Sequence, residues 1–90
     1  MALIKKIELD NGVTVNYHRI VSLNKITNNS NIIEVASYTS KEKREEEKNG
    51  STNVFINTIY LNKSYNKNEL IEDTYNYLKE LDMFKNAISE

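Results

Sequence analysis

The chain contains no cysteine and only one histidine, and this composition excludes large classes of functional site. Without cysteine there is no disulfide to supplement the core and no thiolate metal site. With His18 alone there is no metal site built from two imidazoles, and a catalytic triad there would need a positioned serine and carboxylate. Nothing in the sequence places a serine beside it. We therefore predict that His18 is an exposed strand residue without a catalytic role.

The chain also has little glycine and no dominant charge. Its two glycines, Gly12 and Gly50, stand alone, so there is no glycine-rich loop to hold a phosphate. The formal net charge of -1 argues against the broad positive field that sequence-independent nucleic-acid binding needs. No apolar run approaches the length of a membrane span or of a signal-peptide core. We expect a cytoplasmic protein with no cofactor, metal, nucleic-acid, membrane or small-molecule partner.

The length of 90 residues predicts a single domain over residues 1–90. A chain of this size buries only about 60 to 65% of the surface that its unfolded form exposes, so its core is thin. Its stability is therefore either about 5 kcal/mol or dependent on neighbouring subunits.

One segment near the end of the sequence has a clear helical period, and we predict a helix over about residues 67–81. Asn66 with Glu69 three residues later has the form of a capping box, which marks a helix start. Apolar or small side chains recur at three- and four-residue steps and form one face: Leu70, Thr74, Tyr77, Leu78 and Leu81.

The preceding chain alternates as strands do, over about residues 3–9, 13–27, 32–39 and 53–61. Asn11-Gly12 is a strong hairpin signal and predicts a type I′ turn. A bend or bulge over residues 19–22 would restore the alternation of the second strand. The predicted fold is α+β: a four-stranded, mainly antiparallel meander in the order 1-2-3-4, with one C-terminal helix packed on one face. The expected core consists of Val13, Val15, Tyr17, Leu23, Ile33, Val35, Val54, Ile56, Leu70, Leu78 and Leu81.

Residues 40–52 contain an uninterrupted charged run from Lys41 to Lys48. Thr39 with Glu42 could cap one or two helical turns, but the run has no apolar face to hold a helix against the domain. We predict a solvated loop. The alternative is a projecting arm that docks on a partner.

The six tyrosines allow several interpretations. They could form cross-strand pairs within the sheet or contact a protein partner. Tyrosines beside Arg19 and Lys25 could instead stack on bases, although the near-neutral charge disfavours that interpretation.

Three segments of the chain resemble a family of small proteins encoded in the structural region of tailed bacteriophages and prophages. They are YHRIVS at 17–22, IIEVASY at 32–38 and YLKELDMFKNA at 77–87, with a charged loop between the second and the third. Such proteins commonly end with a tyrosine-leucine-lysine turn, a phenylalanine and an alanine. The resemblance implies a component of a virion or phage-tail-like particle, in a tail, baseplate or fibre-proximal position, without enzymatic activity.

The resemblance also implies a localisation: the bacterial host cytoplasm during assembly, and then the virion or phage-like particle. Its partners would be other structural proteins of the particle, in a homo- or hetero-oligomer. We expect the contacts to come from the second strand, the charged loop and the end of the chain: His18, Arg19, Lys41, Glu42, Lys43, Arg44 and Phe84. A host-directed inhibitor or an assembly chaperone is the alternative, and a single-stranded nucleic-acid-binding module is less favoured. No acid-base pair for an enzyme can be assigned from one histidine and surface carboxylates.

Overall fold

A computed structural model describes residues 2–50 and 57–90 of the protein. Within these ranges it is an α+β fold with a five-stranded antiparallel sheet and two α-helices, which confirms the predicted class. The strands are β1 (Leu3–Glu8), β2 (Thr14–Ile26), β3 (Ser30–Tyr38), β4 (Asn57–Ser64) and β5 (Ile88–Ser89). The helices are α1 (Lys41–Lys48) and α2 (Ile71–Leu78), and a short 3-10 turn (Asp82–Phe84) follows α2.

The sheet order is β4-β3-β2-β1-β5, so the predicted meander of four strands is confirmed and a fifth strand is added. β5 pairs with β1 through Leu3 opposite Ser89 and Ile4 opposite Ile88. The backbone of Ala2 continues this ladder with two hydrogen bonds to Glu90, of 3.0 and 2.9 Å. A two-residue strand has no alternation to detect, which is why the sequence did not predict it.

The hairpin between β1 and β2 forms where predicted but with a different turn. The N–H of Gly12 donates to the carbonyl of Leu9 at 2.9 Å, so Asp10 and Asn11 are the central residues. Gly12 alone takes a positive φ, of 84°. This is a three-residue loop closed by a glycine bulge, and the predicted type I′ turn is wrong. The predicted irregularity in the second strand is confirmed, because the β2–β3 register shifts between Ile20 and Ser22.

The helix α1 replaces most of the predicted charged loop over residues 40–52. Its N-cap is Ser40 and not Thr39: the Ser40 hydroxyl accepts from the N–H of Lys43 at 3.4 Å. No residue of α1 is buried. The prediction of a loop is wrong for Lys41–Lys48, and residues 51 and 52 lie outside the described ranges.

The helix α2 is shorter than the predicted span of 67–81 and starts later. Its N-cap is Leu70, whose N–H donates to the Asp73 carboxylate at 3.0 Å. The predicted capping box is wrong, because Asn66 accepts from the N–H of Asn68 in a preceding turn and Glu69 points into the protein. Leu70, predicted to be in the core, is 64% exposed.

The fourth strand ends at Ser64 and not at residue 61, because its pairing with β3 continues to Ser30 opposite Ser64. The predicted positions 53–56 lie outside the described ranges, and with them the predicted core residues Val54 and Ile56. No helix in the described part of the chain is both long and apolar enough to cross a membrane.

The core lies on both faces of the sheet, because neighbouring strand residues point to opposite sides. The face under α2, here called the α2 face, holds the larger cluster: Leu3, Ile20, Ile33, Val35, Tyr75, Leu78, Phe84 and Ala87. The other side, called the α1 face, holds a smaller one: Ala2, Tyr17, Ala36 and Tyr38. Of the nine predicted core residues in the described ranges, five are confirmed as buried: Val15, Tyr17, Ile33, Val35 and Leu78. Val13, Leu23 and Leu81 are partly buried.

Candidate binding cleft

His18 is buried, with 1% exposure, so the prediction of an exposed contact residue is wrong. Its Nε2 lies 2.8 Å from the carbonyl oxygen of Lys5, and its Nδ1 lies 2.7 Å from the Ser37 hydroxyl. A carbonyl only accepts, so Nε2–H donates to Lys5 and the Ser37 hydroxyl donates to Nδ1. Burial lowers the pKa of His18, and the hydrogen bond to the Lys5 carbonyl only partly opposes that shift. The ring is therefore neutral at pH 7.

The contact between Ser37 and His18 has the atoms of a nucleophile and its base, but not their setting. The β2–β3 register places the two residues directly opposite each other. Both are buried, and the rings of Phe84 and His18 pack in a T-shaped arrangement with 5.1 Å between ring centroids. A substrate has no access to the hydroxyl, so the pair serves the fold. Phe84, predicted to contact a partner, is likewise a core residue.

Glu69 is another buried polar residue, and it joins α2 to the sheet. Its carboxylate lies 2.7 Å from the Lys63 ammonium of β4 and accepts from the Thr74 hydroxyl at 2.5 Å. Asn31 of β3 donates to it at 3.4 Å. Burial alone raises the pKa of the Glu69 carboxyl, but the Lys63, Thr74 and Asn31 contacts outweigh it and leave the pKa below its ordinary value. We call these four residues the Glu69 cluster, and their role is structural.

In residues 2–50 and 57–90, no three histidine, aspartate or glutamate side chains lie close enough to hold a metal ion.

A cleft of about 240 Å³ lies where α1, β2 and α2 meet. β1 pairs with β2 only as far as His18, so the following part of β2 has β3 as its partner among the described strands. Helices from both faces approach β2 there. The lining combines three cations with four aromatic or aliphatic side chains: Arg19, Arg44 and Lys48, with Tyr17, Ile20, Ile71 and Tyr75.

The cations of the cleft exceed the carboxylates that face them. Oε1 of Glu47 lies 2.5 Å from Nη1 of Arg44 and 3.9 Å from Nη1 of Arg19, so one carboxylate serves two guanidinium groups. The same oxygen also accepts from the Tyr38 hydroxyl at 2.8 Å. A guanidinium has five N–H donors, more than Glu47 and Tyr38 can take up from Arg19. The Arg19 side chain lines the cleft and is 25% exposed.

Tyr75 anchors the opposite wall. Its hydroxyl oxygen accepts from the N–H of Ile20 at 2.8 Å, beside the irregularity in β2. Burial raises the pKa of Tyr75, so the phenol is neutral at pH 7. The wall of α2 is thereby fixed to the strand that carries Arg19.

Of the contact residues predicted from the sequence, the cleft brings together Arg19 and Arg44. Lys41, Glu42 and Lys43 lie on α1 but do not line it. Lys41 pairs with Glu90, at the end of the chain.

The prediction missed Tyr75, and it included Lys48 only as the last residue of the charged loop and not as a partner of Arg44. Arg44 and Lys48 are four residues apart, so they share a helix face, and that spacing would have found Lys48 had a helix been predicted.

Large apolar side chains are also exposed at both edges of the described sheet. Tyr60 of β4 is 67% exposed, and Ile88 of β5 is 68% exposed. Leu70 and Ile71, at the start of α2, are exposed beside the cleft.

Searches against known protein families, curated proteins and solved structures gave no match for this chain.

Proposed function

We propose that this chain is a non-enzymatic structural or adaptor subunit of a phage or phage-tail-like particle, at a tail or baseplate attachment, and that it acts through protein–protein contacts. The observation that supports this most is the exposure of Tyr60 and Ile88 on the two edge strands of the described sheet. An edge strand offers backbone groups to another chain, and an exposed apolar side chain adds contact area.

β4 is the better edge for such a contact. It is eight residues long and pairs regularly with β3 from Asn57 to Ser64. Edge strands are commonly protected by an outward lysine. The lysine of β4, Lys63, is instead drawn to the buried Glu69 carboxylate and does not guard the edge. Strand addition by another protein is therefore favoured along β4.

The thin core supports the same proposal. A domain of this size gains stability when its sheet is covered in an assembly. The resemblance of the YHRIVS, IIEVASY and YLKELDMFKNA segments to phage structural-region proteins supplies the setting. A host-directed inhibitor or an assembly chaperone would use the same edge, and the identity of the partner distinguishes them.

The test is incorporation of edge variants into particles. Cells that carry the gene are deleted for it and complemented with the wild type, Tyr60→Lys or Met83→Lys before prophage induction. Met83 is an exposed apolar residue in the 3-10 turn, outside both edge strands, and serves as the matched control. We expect Tyr60→Lys to fold normally and its amount in purified particles to fall about tenfold, while Met83→Lys is incorporated as the wild type is. Wild-type incorporation of Tyr60→Lys would remove β4 from the proposal.

A further inference from the structure

We propose that the cleft between α1 and α2 binds a peptide segment of a partner protein in which one glutamate or aspartate stands next to an aliphatic or aromatic residue. The carboxylate would bind Arg19 and Arg44, and its apolar neighbour would pack on Ile20 and Ile71. This inference rests on the proposed function, since it gives the chemistry of the partner of a protein that acts through contacts.

The first step is charge. Arg19 and Arg44 share the single carboxylate of Glu47, so one guanidinium charge is not neutralised within the cleft. Lys48 pairs with Glu45 at 3.5 Å, but both side chains are about half exposed, and such a pair is weak in water. A carboxylate fits this excess because it can accept two hydrogen bonds from one guanidinium.

The second step is size and shape. The volume of about 240 Å³ is below the range of about 300 to 1,000 Å³ typical of pockets for whole ligands. It suits one or two side chains. Ile71 is exposed at the rim, and the neighbouring Leu70 continues the apolar surface outward. A chain leaving the cleft would lie on this surface, which a small free anion would leave uncovered.

The third step separates a peptide from a nucleic acid. Three glutamates of α1 are exposed, Glu42, Glu45 and Glu46, and Glu45 lies 3.5 Å from Lys48 of the cleft lining. A strand with a phosphate at every nucleotide would meet these carboxylates, and the chain has a net charge of -1. A single carboxylate with an apolar neighbour reaches the arginines without that repulsion.

The test begins with a random heptapeptide display library selected on the full wild-type chain. We expect the recovered peptides to share an Asp or Glu beside an apolar residue. A fluorescein-labelled synthetic copy of the most frequent peptide is then titrated by fluorescence polarisation. Replacing its acidic residue by the amide should weaken binding about tenfold, since a charge-assisted hydrogen bond is lost.

Three variants of the protein locate the site. We expect Arg19→Gln to weaken binding about tenfold and Lys48→Gln about threefold. Lys43→Gln is the matched control: Lys43 lies on the same helix, is about half exposed and pairs with Glu46 at 3.2 Å, but does not line the cleft. It should leave binding unchanged. Thermal melts establish whether each variant is folded. Because Lys48 is exposed, we expect Lys48→Gln to fold, so it tests the site even if Arg19→Gln unfolds.

Selection of peptides without acidic residues would overturn the proposal, as would peptides that bind Lys48→Gln and Lys43→Gln equally. A fluorescein-labelled ten-nucleotide dT strand, bound at low salt and weakened by Lys48→Gln, would assign the cleft to nucleic acid instead. Peptide binding in the cleft with no incorporation into particles would retain this inference and reject the particle function. Incorporation into particles, without selection of acidic peptides, would reject this inference and retain the particle function.

Discussion

The two helices of this protein have the same length, eight residues, but different physical forces hold them to the sheet. α2 buries Thr74, Tyr75 and Leu78 against the larger core cluster. α1 buries no residue, and the contacts of Glu47 with Tyr38 and Arg19 link it to the α1 face. Salt does not screen apolar burial, and it screens the Lys63–Glu69 pair, whose carboxylate is buried, much less than the ion pairs of α1 near the surface. The α2 face therefore provides stability, and the α1 face presents charge to the solvent.

The largest expected effect lies on the α2 face, at Phe84. Phe84→Ala removes a fully buried ring from the core and should lower the free energy of unfolding by about 3 to 5 kcal/mol. That is most of the stability of a domain of this size. Urea denaturation measures it. Met83→Ala, next to it in the same turn but exposed, should change stability by less than about 0.5 kcal/mol. Equal effects of the two substitutions would contradict the assigned core.

The next effect concerns the Glu69 cluster. Glu69→Gln leaves the Lys63 ammonium without its charge partner and should cost about 1 to 3 kcal/mol. The pKa of Glu69 lies below its ordinary value of 4.5, so the unfolded chain takes up this proton first as the pH falls. The stabilisation is present above pH 4.5 and is lost as the pH drops through the lower, folded-state pKa. Urea midpoints at several pH values should show this loss in the wild type. A Glu69→Gln chain with the same acid dependence would refute the role of the carboxylate.

A smaller effect is expected from His18 in a different pH window. Its pKa in the folded state lies below the ordinary 6.5, so the unfolded chain binds this proton first. Stability should be full above pH 6.5 and begin to decline below it, before Glu69 titrates. Because the chain has one histidine, NMR titration of its imidazole protons is unambiguous. A midpoint at or above 6.5 would contradict the buried, neutral ring.

The smallest effect is expected on the α1 face. Glu47→Gln removes the shared carboxylate and should cost about 0.5 to 1.5 kcal/mol, while Glu46→Gln, in an exposed pair, should cost less. Amide hydrogen exchange sharpens the comparison. In α1, protection should fall with Glu47→Gln and with added salt, and in α2 it should not. Equal salt responses in the two helices would contradict the distinction between them.

The sequence predicts those features of the fold that the local alternation of apolar and polar residues determines. The alternation of the β1–β3 segments and the disturbed stretch near Ile20 gave the strand order and the bulge, because a half-buried sheet imposes a period of two. The sequence did not predict α1 because the residues that Glu47 of this helix contacts, Tyr38 and Arg19, lie outside the charged run. Glu69 was misplaced for the same reason: its strongest partner, Lys63, is on β4, outside the segment predicted to be a helix.

The cleft shows the same limit. The sequence analysis named both Arg19 and Arg44 but did not bring them together, since Arg44 approaches β2 from the helix α1, which was not predicted. His18 was expected at the surface because its hydrogen-bond partners, Ser37 and the carbonyl of Lys5, come from neighbouring strands. Tertiary contacts decide the position of each of these polar side chains.

The measurement that tests the central claim most directly is the copy number of this chain in particles. Particles are purified after prophage induction of cells that carry the gene, and the chain is quantified by mass spectrometry against a tail protein of known copy number. The proposed function predicts a fixed ratio with several copies per particle. Absence of the chain from particles, with the protein left in the soluble lysate, would contradict it and favour an assembly chaperone or a host-directed inhibitor.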